Sequence, residues 1–401
     1  MNSVVRQMWE QNTDVVMVDT GNSYEGLCEY VGGKYISYTD EHPITMNPFA
    51  IKREELNIEK IGFLKNLVML IWKGTQGEVT KTEDRLIEQV ITEYFDEYFM
   101  KKQIENLSFN TFYEYSTVRI PQIIKENNLA GIDLASYNYL LKDFYKGGSH
   151  ELTLNENLDT KLFDETFIVF EIDSIKDDPL LFPLVTLIIM DVFIQKMRIK
   201  KNRKVLVIEE AWKAIASPMM AEYIKYLYKT ARKFWASVGV VTQEIQDIVG
   251  SPIVKEAIIN NSDVVMLLDQ SKFRERFDEI KAILGLTDVD CKKIFTINRL
   301  ENKEGRSFFR EVFIRRGSVG GVFGVEESHE CYMTYTTERA EKEALQLYKK
   351  ELQCDHQHAI EAYCRDWELS GITKSLPFAQ KVNQTGHVLN LKPKRKFDEY
   401  M

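Results

Sequence analysis

The segment Lys204 to Trp212 (KVLVIEEAW) sets two carboxylates, Glu209 and Glu210, directly after four apolar residues, Val205 to Ile208. A buried strand ending in two acids has the form of a Walker B strand. One acid holds Mg²⁺ through its water shell, and the next orients or deprotonates an attacking water. On this reading Glu209 takes the metal and Glu210 the water. Alone, the pattern also describes a solvated helix start. A second run, Val238 to Thr242, ends at Gln243 one strand–helix unit later. A glutamine at the tip of a neighbouring strand can hydrogen-bond a γ-phosphate or the attacking water and report hydrolysis to the helix beyond; its bland role is to cap that helix. A third acid, Asp19, closes the apolar run Val15 to Val18 and either lies near the nucleotide or caps the turn Thr20-Gly21-Asn22.

These side chains need a parallel sheet, because ligands bind beyond the carboxyl ends of parallel strands. Continuous apolar runs mark such strands, being covered on both faces: Val15–Asp19, Phe167–Ile172, Val205–Ile208, Val238–Thr242 and Val264–Leu268. Helical patterns separate them over 179–198, 219–235 and 253–260, and alternation of this kind predicts a doubly wound α/β fold. Val4, Val5, Met8 and Trp9 fall on one face of a helix ahead of the first strand. The runs Lys34–Tyr38 and Ile44–Phe49 read as a short extended excursion. From about Ile51 to Gly148 the pattern is helical throughout. Leu86, Ile87, Val90, Ile91, Tyr94, Phe95 and Tyr98 form one stripe behind Thr82-Glu83-Asp84, and further helices are expected over 58–72, 111–126 and 133–145. A late hairpin turns around Gly317. A charged helical tail runs over 338–369, and the basic residues Lys392, Lys394, Arg395 and Lys396 come near the end.

The 401 residues, 44% hydrophobic and 28% charged, describe a globular chain of two to three units rather than a disordered or fibrous one. The longest apolar stretch, Leu180–Met190, contains Pro183 and stops at Asp191, short of the roughly 18 residues a membrane span needs. No signal peptide is expected from the first residues. A net charge of −9 argues for only weak contact with DNA. Five scattered cysteines without a framework fit a reducing, cytoplasmic compartment. Cys354, His358 and Cys364 lack zinc-site spacing, and the segment reads as continuous helix.

The two strands, one with paired acids and one with glutamine, have the layout of RecA-like motor ATPases. The segments Val16 to Tyr24, Asn47-Pro48-Phe49, Val207 to Trp212, and Ala231-Arg232-Lys233 leading into Thr242-Gln243 resemble the motor half of TraG-type conjugative transfer ATPases, the VirB4 and TraC class of type IV secretion. The resemblance runs in order over about Met1 to Glu343. It implies a RecA-like P-loop NTPase core with a mostly parallel sheet, an all-helical insertion and a C-terminal helical tail. Its expected divisions are core residues 1–50, insertion 51–160, core 161–336 and tail 337–401. It further implies ATP and Mg²⁺ as cofactors, a hexameric ring, other secretion subunits as partners, and a position peripheral to the inner membrane. Arg232 resembles the basic residue that reaches a neighbour's nucleotide, with Lys233 beside it as a nucleotide-binding cation.

Two departures stand out. Glu209 occupies a place where many members of the class have Asp; its longer carboxylate still reaches Mg²⁺ through water. No G-x-x-x-x-G-K-[ST] occurs anywhere in the 401 residues. In the class the P-loop precedes the helix that leads into the Asp19 strand, so the expectation is a chain that starts just downstream of it, lacks the first sheet strand and is inactive alone. Two other readings remain: a non-catalytic assembly module of the secretion machinery, and a DNA-translocating coupling protein or helicase-like motor.

Overall fold

The computed structural model describes residues 1–39, 41–102, 106–157, 159–210, 218–242, 258–299 and 308–391. Trp212, Gln243, most of the helix expected over 253–260 and the basic residues from Lys392 onward lie outside them. The described strands are β1 (Thr13–Asp19), β2 (Lys34–Ser37), β3 (Phe167–Glu171), β4 (Arg203–Glu209), β5 (Ala236–Val241), β6 (Val264–Leu267), β7 (Phe309–Arg316) and β8 (Val319–Glu326). The chain divides into two compact units, one of residues 12–21 and 35–261, the other of residues 1–11, 22–34 and 262–401.

The first unit holds the parallel sheet, in the order β2-β3-β1-β4-β5. β1 is central, parallel to β3 on one side and β4 on the other, and β4 is parallel to β5. All seven residues of β1 and all five of β3 are buried. Their apolar runs are therefore the signature of strands covered on both faces. Two of the covering helices, Leu181–Ile199 and Pro218–Ala231, fall where the sequence predicts them.

The helical stretch between β2 and β3 belongs to this unit and shares its core. Val16, Val18 and Ile168 of the sheet lie in one apolar cluster with Phe63, Leu67, Ile87 and Phe112 of the helices. The expected helices appear as Ile58–Lys73, Lys81–Phe95, Phe109–Asn127 and Leu134–Leu141. The second begins one residue earlier than its stripe suggests. Thr80 caps it, accepting from the Glu83 backbone N–H while the Glu83 carboxylate accepts from the Thr80 backbone N–H, a reciprocal capping box.

A buried polar lock secures the amino end of the sheet. The Lys196 ammonium, with no solvent exposure, lies 2.9 Å from Asp14 Oδ2 and donates to the backbone carbonyls of Phe163 and Glu165. All three donors are thus satisfied, the condition under which a buried cation is tolerated. Beside it, Lys204 donates to the carbonyls of Asn202 and Phe234, and burial pushes its pKa down.

In the second unit the structure corrects one expectation. The run Val264–Leu268 predicts another strand of the parallel sheet, but β6 pairs antiparallel with β7, which pairs antiparallel with β8 across the turn at Gly317. Val264, Met266 and Leu268 are exposed. An apolar run shows that a strand can form and says nothing of its partner. The tail contains a core of its own. Helices Arg339–Leu352, His356–Ser370 and Ser375–Thr385 gather Tyr348, Tyr363, Trp367 and Phe378 into one cluster, so the helical part continues well past Leu369. The buried Asp366 within it accepts from the Tyr348 hydroxyl at 2.8 Å.

Candidate active site

Glu209 is the last residue of β4, level with Val241 of β5, while Val18 of β1 is level with Ile208. Asp19 therefore ends β1 beside Glu209, and both sit at carboxyl ends of adjacent parallel strands, where such sheets bind ligands. Glu209 and Glu210 are half-buried and Asp19 is fully buried. Glu210 has a left-handed backbone with φ of 48°. For a residue with a side chain this conformation costs about 1–3 kcal/mol and is concentrated at functional sites. Asp19 also does what its local sequence suggests, accepting from the Gly21 backbone N–H at 3.2 Å.

A further acid, which the sequence reading did not single out, stands in the same row. Glu171 ends β3 as the register partner of Asp19. It is buried, accepts from the Tyr35 hydroxyl through Oε2, and accepts from the Asp173 backbone N–H at 2.8 Å through Oε1. The signal was present: Phe167 to Phe170 is an apolar run followed by one acid, as Val15 to Val18 is followed by Asp19. Across β3, β1 and β4 the strand ends thus read Glu171, Asp19, Glu209. Among the described residues no three acids, histidines or cysteines are grouped to hold a metal ion. A nucleotide-bound Mg²⁺ needs no such cage, being held by one or two carboxylates together with phosphate oxygens and water. The donor set at β4 fits that requirement.

The remaining site candidates lie elsewhere. Thr242 follows β5, and Gln243 falls outside the described residues. Arg232 and Lys233, both exposed, form a short 3₁₀ turn just before β5. That turn is at the amino end of the sheet, about 17 Å from the carboxyl ends at roughly 3.3 Å per residue. Arg232 and Lys233, the basic pair expected to reach a neighbour's nucleotide, thus lie at the end of the strand opposite Glu209. Trp235, next to them, is 71% exposed and left-handed, with φ of 56°.

A central parallel sheet covered by helices, with acids leaving the carboxyl ends of neighbouring strands, is the P-loop NTPase type of α/β fold. The family model described as the TraG P-loop domain matches residues 1–367. The chain belongs to that family, the class of conjugative transfer and type IV secretion ATPases. Protein TraC of Escherichia coli (strain K12) is 22% identical over 295 residues, which is 69% of this chain and 31% of TraC. The chain thus spans about a third of that relative's length. Among solved structures, VirB4 of Thermoanaerobacter pseudethanolicus superposes with a TM-score of 0.59 at 19% identity, covering 82% of this chain and 85% of that one. The plasmid coupling protein TrwB, in complex with ADP and Mg²⁺, gives 0.51 at 12% identity, covering 82% and 81%. At such identities the likeness is one of fold. No helix among the described residues is long and apolar enough to cross a membrane.

Proposed function

We propose that this chain is the nucleotide-hydrolysing part of a type IV secretion motor, coupling ATP hydrolysis to the work of a conjugation channel or to pilus assembly. The observation that carries the reading is the exit of β4, where Glu209 and the left-handed Glu210 emerge beside Asp19 at the carboxyl end of the sheet. Glu209 would hold Mg²⁺ through water, and Glu210 would position or deprotonate the attacking water. Gln243 would sense the γ-phosphate, and Asp19 would border the nucleotide. Mg²⁺ bound there would neutralise phosphate charge as the terminal phosphoryl group leaves. TrwB with bound ADP and Mg²⁺ supports the cofactor pair.

Arg232 and Lys233 acquire a role only between copies. Lying at the amino end of β5, they would reach a nucleotide held by a neighbouring protomer, as a ring, in this reading a hexamer, requires. Partners would be other secretion subunits, through which the ring sits peripherally at the inner membrane from the cytoplasmic side. DNA contact would be weak, given the net charge of −9.

A second reading is favoured by one observation, the absence of a Walker A sequence from the 401 residues. Without that cradle the chain would act alone as a non-catalytic assembly module. The experiment measures Mg-ATP turnover by this chain alone and by the chain joined to a Walker A segment of the family. The chain alone should show no turnover. The joined form should hydrolyse ATP and lose about 10²–10⁴-fold in kcat on Glu210→Gln with nucleotide affinity nearly unchanged. If Glu210→Gln turned over at the parent rate, β4 would not be the catalytic strand.

A further inference from the structure

Trp235 stands where a tryptophan is least expected. Its backbone is left-handed, with φ of 56° and ψ of 37°, a conformation that glycine and asparagine adopt cheaply and a bulky side chain does not. Its side chain is 71% exposed, so packing within the chain returns little for that strain. Strain of this kind is concentrated at functional sites. The turn itself is firmly seated. The Trp235 carbonyl accepts from the Lys204 backbone N–H at 3.0 Å, and the Phe234 carbonyl accepts from the buried Lys204 ammonium.

Exposed cations surround this tryptophan. Lys204 is level with Ala236 in the register of β4 and β5, which puts Arg203 beside Trp235 across the two strands. Arg232 and Lys233 precede it in the turn, and Lys201 lies in the loop that enters β4. All four are exposed, and among the described residues none has a carboxylate partner. Asp14, level with Lys204, and Asp164 are taken by Lys196 and Lys200. Ile199, which ends the helix Leu181–Ile199 at the same end of the sheet, adds a second apolar side chain, 59% exposed. This local excess of cations stands against a net charge of −9 for the whole chain.

We propose that the amino end of the parallel sheet docks directly on an anionic lipid bilayer. Tryptophan favours the headgroup level, where its ring meets the apolar boundary and its N–H stays wet. Lysines and arginines gathered at an anionic surface each strengthen attachment by about fivefold. An apolar anchor together with a basic patch supplies the two signals on which such attachment depends. A single strand of nucleic acid fits less well. It calls for a row of stacking rings along a groove, and Trp235 is the one exposed ring of this turn. Lys201, Arg203 and Trp235 carry no part of the nucleotide reading, so variants made there let the two readings fail separately.

Flotation of the whole chain with vesicles tests this, using phosphatidylcholine alone and phosphatidylcholine with an equal share of phosphatidylglycerol. The chain should float with the anionic vesicles and not with the neutral ones. It should be released at about 1 M salt, where the screening length falls to about 3 Å. Vesicles with brominated acyl chains should quench the tryptophan fluorescence, and Trp235→Asn should remove that quenching and weaken attachment several-fold. Asparagine suits the left-handed backbone, so this variant should fold at least as well as the parent, which circular dichroism verifies. Lys201→Gln and Arg203→Gln should each weaken attachment by about fivefold. Equal attachment to neutral vesicles, parent-like affinity and quenching in Trp235→Asn, or parent-like binding by both glutamine variants would each overturn the proposal. Retention of single-stranded DNA without retention of vesicles would make the patch a nucleic-acid site and overturn it equally.

Discussion

Lys196 Nζ lies 2.9 Å from Asp14 Oδ2 at a point where neither side chain meets bulk water. The contact ties the helix Leu181–Ile199 to the start of β1, the strand whose far end delivers Asp19 to the candidate site. Lys196→Met removes the closer cation and leaves Asp14 with the Asn202 amide and the field of the Lys204 ammonium. Breaking one side of a buried pair costs about 3–5 kcal/mol. Urea denaturation should show a loss of that size, and a change under 1 kcal/mol would mean the carboxylate is readily rehydrated.

A backbone strain at the second acid gives a prediction of opposite sign. Glu210→Gly removes the penalty of a side chain at φ of 48°. It should raise stability by about 1 kcal/mol, while abolishing hydrolysis in a form supplied with a Walker A segment. Thermal melts of the parent and variant measure the first effect, and a lower midpoint in Glu210→Gly would show that the contacts of its side chain outweigh the strain.

Close approach of backbones limits another position. A Cβ on Gly26 would stand 2.5 Å from the Thr334 carbonyl oxygen, a backbone atom that cannot swing aside. Gly26→Ala should therefore cost about 1–3 kcal/mol, as overpacking does. Hydrogen exchange should locate the loosening in Glu25–Tyr30 and His329–Tyr335. Unchanged protection in both helices would rule out the clash.

The capping box of the helix Lys81–Phe95 titrates in acid. Burial would raise the Glu83 pKa, but the Lys73 ammonium at 2.6 Å and the hydrogen bonds from Thr80 outweigh it and hold the carboxyl below its usual value near 4.5. A carboxylate with a lowered folded pKa contributes stability above its unfolded value and loses it as pH falls through the folded one. The parent should therefore lose stability below about pH 4.5 faster than Glu83→Gln, which should be weaker at neutral pH by about 1 kcal/mol. Parallel pH profiles for the two proteins would remove Glu83 from the account.

What the sequence made legible follows from what each pattern encodes. Val15–Asp19 and Phe167–Ile172 were readable because strands covered on both faces must be apolar throughout, and the acids after them mark where the strand meets solvent or ligand. The strand-end positions of Asp19 and Glu209 follow from that rule; Glu171 obeys it too, but Ile172 prolongs the apolar pattern past it. The partner of Val264–Leu267 was not legible, since apolar periodicity carries no pairing information. Nor was the lock of Asp14, Lys196 and Lys204, whose members are far apart in the chain and meet only once the sheet has formed. Arg232 and Lys233 were recognised by their neighbours in sequence, but which end of the sheet they occupy depends on the direction of β5.

β5 has its own physical character. It is half-exposed where β1, β3 and β4 are buried, and among the described residues only β4 pairs with it. Its sequence, Ala-Ser-Val-Gly-Val-Val, carries no charge and no proline, the usual means by which proteins keep an open edge from recruiting a foreign strand. Such an edge is a template: self-association there grows with protein concentration and can proceed without prior unfolding. Among the described residues, a lysine in place of the exposed Ser237 is the smallest change that would guard this edge.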